Sequence, residues 1–222
     1  MRSVASMPRW YEPCIFALVS DRSFVRFGGL AGILLAITSW TAVAAFYTVA
    51  KGGTDVVGEQ IFQFLYALVA LWAIFGIVAV YWVIRPAGEA WSFFATLVGV
   101  IAAFGTMTAP LYKIAFTRAV IAQPVSNAVP PPSAAATDPL NVSTFALTGI
   151  WFLLANLLLA RSGFPRLLVL LGFIAVADLF AGFVFSLGEQ LQLVTYAAIV
   201  AGAVGGPLYW LWLGILLRRR AA

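Results

Sequence analysis

Asp178 is the residue best placed to do chemistry. It stands near the middle of Leu167–Leu187, LLVLLGFIAVADLFAGFVFSL, an apolar run long enough to cross a bilayer as a helix. It lies about eleven residues into that run, roughly 16 Å along a helix axis and close to a bilayer midplane. An ionised carboxylate at that depth costs about 3 kcal/mol or more on insertion scales, so the neutral form or a polar partner is expected. Such a carboxyl could relay protons or cations, or anchor a polar ligand. It could equally hold two helices together by a hydrogen bond. Thr38, Ser39, Thr41, Thr106 and Asn156 fall at similar depth in other apolar segments and are its candidate partners. No Lys or Arg lies at that depth, so an ion pair is not expected.

Two further stretches share a pattern. Gly105–Tyr112 and Gly202–Tyr209 both read G-x-x-x-x-P-L-Y. Pro110 and the run Gly205-Gly206-Pro207 are expected to break their helices and free backbone carbonyls that could face a ligand. The stretches could be matching parts of an inverted repeat, as in many transporters, or two independent helix irregularities. The small residues at Gly28-Gly29-x-x-Gly32 and Gly202–Gly206 are expected to let helices pack closely.

Absences narrow the chemistry. The chain has no histidine and one cysteine, Cys14. Haem, zinc and a histidine general base are therefore not expected, and no cofactor is assigned. Cys14 beside Pro13 is read as structural. An enzyme acting on lipids or isoprenoids would need a second acid, but Glu59, Glu89 and Glu189 lie at segment ends. Trp40, Trp72 and Trp151 are read as packed or lipid-facing rings. Asn141-Val-Ser143 fits a glycosylation pattern that is short enough to arise by chance.

These residues must be positioned by a membrane. Of 222 residues, 63% are hydrophobic and 9% charged, against roughly 25% charged in soluble domains. The sequence predicts an all-α, polytopic transmembrane helical bundle of six spans. They run from about 28 to 49, 61 to 84, 90 to 112, 143 to 160, 167 to 187 and 193 to 217. Residues 1–27 mix arginines with aromatics and suit a short interfacial helix. Residues 118–142 carry Pro124, Pro130, Pro131, Pro132 and Pro139 and read as a long loop. Residues 218–222 form a tail.

Six spans place Arg2, Arg9, Arg22, Arg26, Arg85, Arg161, Arg166, Arg218, Arg219 and Arg220 on one side. Lys51, Lys113 and Arg118 fall on the other. That bias predicts cytoplasmic N- and C-termini and an external proline-rich loop. Trp82, Trp91, Tyr112, Trp210 and Trp212 are expected in the interfacial belts. The net charge of +5 follows from these helix ends, and no nucleic-acid partner is expected.

Arg26-Phe-Gly-Gly-Leu-Ala-Gly, Gly149-Ile-Trp151-Phe-Leu-Leu, Arg161-Ser-Gly-Phe-Pro-Arg166 and Gly206-Pro207 with Trp210-Leu-Trp212 resemble a family of uncharacterised bacterial multi-pass proteins. The resemblance implies a helical bundle in the bacterial plasma membrane and no activity or cofactor. The leading functional expectation is a non-catalytic accessory or structural subunit that meets lipids, other membrane subunits or a second copy of itself. A small permease using Asp178 as its coupling carboxylate is the alternative.

Overall fold

The computed structural model describes residues 21–51, 55–121, 139–188, 193 and 200–221. Among them the chain is all-helical. The helices are α1 (Asp21–Thr48), α2 (Val56–Ile84), α3 (Glu89–Ile121), α4 (Pro139–Arg161), α5 (Arg166–Leu187) and α6 (Gly206–Arg220). A π-helical stretch, Val200–Gly205, leads directly into α6. Five segments are long and apolar enough to cross a membrane: Arg22–Thr48, Val56–Ala87, Glu89–Ala115, Val142–Arg161 and Arg166–Leu187. Of the sixth expected span, Leu193 and residues 200–217 are described. The expected N-terminal interfacial helix over residues 1–20, Cys14, the centre of the proline-rich loop and Glu189 lie outside the described residues.

Helix ends differ from expectation in instructive ways. α1 begins at Asp21, so the last residues of the expected interfacial segment are its first turns. α2 begins five residues early because Asp55 caps it: its Oδ1 accepts the Gly58 N–H at 2.8 Å. α2 stops before Pro86, and Arg85–Ala87 form one 3₁₀ turn. Arg85 spans that turn to Glu89 at 2.7 Å. The buried Ser92 hydroxyl donates to the Ile84 and Gly88 carbonyls at 3.1 and 2.7 Å. α3 and α4 also extend into the expected loop, to Ile121 and from Pro139.

The helices pack in chain order, each on its neighbour, and α6 returns to lie against α1. Glycine sets that last contact. A Cβ on Gly29 would stand 2.7 Å from the Gly214 carbonyl, and one on Gly214 would stand 2.5 Å from the Gly29 carbonyl. Gly32 lies against the Trp210 carbonyl and Gly214, so the two backbones touch. Gly28 faces α2 instead, at Ala79. The expected packing role of Gly202–Gly206 does not hold at Gly202, where a Cβ would meet nothing within 4 Å, or at Gly205, whose nearest neighbour is its own π-helical stretch.

The α4–α5 connection is pinned from the chain's far end. Gly163 takes φ +73°, which favours glycine. Arg220 donates to the Ser162 and Gly163 carbonyls at 3.1 and 3.0 Å. Its guanidinium lies 3.8 Å from the centroid of the buried Phe164 ring. Arg220 thus sits beside the turn between Arg161 and Arg166.

Candidate functional site

Two halves of the bundle carry different inward-facing residues. Toward the arginine-rich ends the core holds Ile84, Leu159, Leu168, Leu213 and Leu217, all fully buried. Toward the other ends the inward positions are small: Ala42, Ala70, Ala73, Gly99, Ala102, Ala103 and Ala175. Small residues on four of the converging helices, α1, α2, α3 and α5, cannot fill the space between them. The result is a cavity of about 900 Å³ lined by all six helices and the π-helical stretch. That volume lies in the range of small-molecule sites.

Its wall is mainly apolar, with a few polar groups. Ser39, Gln63, Thr106, Thr148 and Ser186 contribute hydroxyls and an amide, and Lys113 reaches it from α3. Thr106 and Ser186 donate to the carbonyls four residues back, Ala102 at 3.0 Å and Gly182 at 2.7 Å. Their oxygens keep acceptor capacity. Ser39 is buried and makes no hydrogen bond among the described residues. Gln63, also buried, donates to Glu59 Oε1 at 2.6 Å.

An aromatic floor separates the cavity from the packed half. The indoles of Trp151 (α4) and Trp210 (α6) stack with centroids 5.3 Å apart and planes 3° from parallel. Glycines make room on both sides. A Cβ on Gly76 of α2 would stand 2.5 Å from the Trp210 ring, and Gly99 of α3 lies against Trp151. Beside them Phe152 and Tyr209 lie 4.9 Å apart. The Tyr209 hydroxyl donates to Asn156 Oδ1 at 3.2 Å, and Asn156 Nδ2 donates to the Phe152 carbonyl at 2.7 Å. Asn156 is closed in by Gly172 of α5. Trp210 is therefore a core residue, not part of an interfacial belt, while Trp91 and Tyr112 are exposed.

The break before α6 has its own solution. Pro207 has no N–H to offer the carbonyl four residues back, that of Ala203. The indole Nε1 of Trp40, on α1, donates to that carbonyl at 3.0 Å. The freed carbonyl is thus taken by the protein itself. Pro110 behaves differently. α3 runs through it without interruption, so the expected break there is absent. Tyr112 is exposed and Tyr209 fully buried. The two G-x-x-x-x-P-L-Y stretches are not structural equivalents, and the inverted-repeat reading is dropped.

Of the sequence-selected residues, Ser39, Thr106, Gly206 and Pro207 meet in the cavity wall, and Gly205 adjoins it. Asn156 lies in the floor, committed to Tyr209. Asp178 is not on the cavity wall. Its Oδ2 is buried without a hydrogen-bond partner among the described residues. Thr41, like Thr106, bonds to its own helix and does not reach Asp178. Sequence reasoning missed two features. Glu59, Gln63, Tyr66, Ala70 and Ala73 recur at intervals of three and four on α2 and form one stripe, a signal the sequence does contain. The Trp40–Ala203 bond links segments too distant in sequence for spacing to show it. Among the described residues, no three His, Cys, Asp or Glu side chains converge as a metal site.

No protein-family profile, no curated protein and no solved structure matches the chain, so the resemblance to a multi-pass family has no profile match behind it.

Proposed function

We propose that the chain is a non-catalytic integral membrane protein, an accessory subunit that holds an apolar or amphiphilic molecule in its central cavity within a larger membrane assembly. The observation that carries this reading is the 900 Å³ space ringed by all six helices. Among the described residues its wall offers hydrogen-bonding groups but no nucleophile–base pair. The arginine distribution supports six crossings with both chain ends on the cytoplasmic side of a bacterial plasma membrane. The cavity then occupies the outer half.

Native mass spectrometry of the gently solubilised protein tests the reading. A small-molecule adduct, or a partner subunit, should travel with the chain. The adduct should vanish in Ala103→Trp, which fills the space. A bare chain in both samples would overturn it. Reporter tags at the two ends test the orientation and should report the same side.

A second reading, a small permease, is favoured by the π-helical stretch, whose Gly202 and Ala203 lie in the cavity wall. The coupling role of Asp178 then rests on its depth alone. Liposome flux that is unchanged in Asp178→Asn would remove that role.

A further inference from the structure

Ser39 brings an unused hydroxyl to the cavity. The residue is only 8% exposed, lies in the cavity wall and makes no hydrogen bond among the described residues. Sealed side-chain oxygens without a partner occur at Glu59 and Asp178; the Ser39 oxygen is not one of them, so it opens on the space it lines. Two more hydroxyls of the wall, Thr106 and Ser186, have committed their protons to carbonyls of their own helices and can only accept.

Helix register puts the three at one level. Trp151 rests on Gly99, and Thr106 lies seven residues farther along α3, about 10 Å away from the arginine-rich ends. Gly28 meets Ala79 and Phe46 meets Phe62, so Ser39 on α1 is about level with Val69 of α2, seven residues beyond the Gly76 that faces Trp210. Phe180 rests on Gly149, two residues beyond Trp151, and Ser186 lies six residues past Phe180. Each path ends about 10–12 Å above the stacked indoles. Lys113, also in the wall, stands about 10 Å farther out than Thr106 and has an interaction of its own. No Asp or Glu is among the lining residues.

We infer that the cavity selects an uncharged amphiphile by a hydroxyl group: Ser39 donates to the ligand's hydroxyl oxygen, Thr106 or Ser186 accepts its proton, and its apolar body lies against the indole floor. This inference deepens the binding-subunit reading and rests on it. The ring of hydroxyls offers one free proton and several lone pairs, and an alcohol is both acceptor and donor. An ether or ketone would use the Ser39 proton and leave the acceptors idle. A carboxylate would set its charge against acceptor oxygens, and an ammonium would find no counter-charge and leave the Ser39 proton unused.

The test is a competition read by native mass spectrometry on the full chain in nanodiscs. Decanol, decyl methyl ether, decanoic acid and decylamine are offered together at equal concentration in the bilayer. Only the adduct lost in Ala103→Trp, which fills the space, is counted, so lipid-like binding around the bundle is excluded. The decanol adduct should exceed each of the others by roughly tenfold, the effect of two ordinary hydrogen bonds. Ser39→Ala should lower it roughly threefold. The ranking in the unmodified protein is decisive even if a variant does not fold. Preference for decanoic acid would move the head to Lys113 and overturn the hydroxyl assignment. Preference for decylamine, or equal binding of all four, would also overturn it while leaving the cavity a binding site. No cavity adduct of any of them would overturn both readings.

Discussion

The indole of Trp151 lies parallel to that of Trp210, 5.3 Å away, with a glycine of another helix against each ring. Four helices therefore meet through two side chains and two missing ones. Gly76→Ala and Gly99→Ala should each destabilise the bundle by about 2 kcal/mol, because neither indole can move without disturbing the other. Trp210→Phe should abolish the coupled circular-dichroism signal of the stacked indoles. Thermal unfolding in detergent and the dichroism spectrum check both.

The Trp40–Ala203 bond yields a rescue experiment. Trp40→Phe leaves the Ala203 carbonyl without a donor and should lower stability by about 1–2 kcal/mol. Pro207→Ala restores a backbone N–H. In the Pro207→Ala background the loss from Trp40→Phe should shrink to a few tenths of a kcal/mol. Equal losses in both backgrounds would show that the indole does not serve that carbonyl.

Tyr209 and Asn156 make a polar contact sealed inside the bundle. Tyr209→Phe should cost about 1 kcal/mol, in line with hydrogen bonds between membrane helices. Asn156→Ala should cost more, because it also empties the space against Gly172. A double-mutant cycle read by unfolding measures the coupling.

Asp178 gives the opposite expectation. Its unbonded Oδ2 means that Asp178→Leu should raise stability, by about 1–3 kcal/mol. A fall in stability would reveal a structural partner for this carboxyl.

Arg220 ties the chain's end to the Ser162–Phe164 turn. Arg220→Ala should lower stability by about 0.5–1 kcal/mol, since the contact is exposed, and should speed proteolysis at Gly163. Arg220→Lys should restore little, because one ammonium cannot serve both carbonyls and the ring.

The helical architecture was legible in the chain because hydrophobic length is a direct physical signal: five of the six expected segments are long and apolar enough to span. Helix ends were less legible where a cap acts locally, as at Asp55. The glycines of α1 were recognised as packing residues, but which neighbour each met was not, since Gly28 faces α2 and Gly29 faces α6. Asp178 drew attention because charge stands out in apolar sequence. The cavity did not, because a void is made by what several alanines and glycines on separate helices fail to fill. Asn156 illustrates the same limit: its type announced a polar contact, and only the fold could assign it to Tyr209.

The contact of Gly29 and Gly32 with Gly214 joins α1 to α6. During synthesis the glycine face of α1 enters the bilayer long before its permanent neighbour exists. Until α6 has emerged from the ribosome, lipid or an insertion chaperone must cover that face, and a chain truncated before Gly206 would expose it for good.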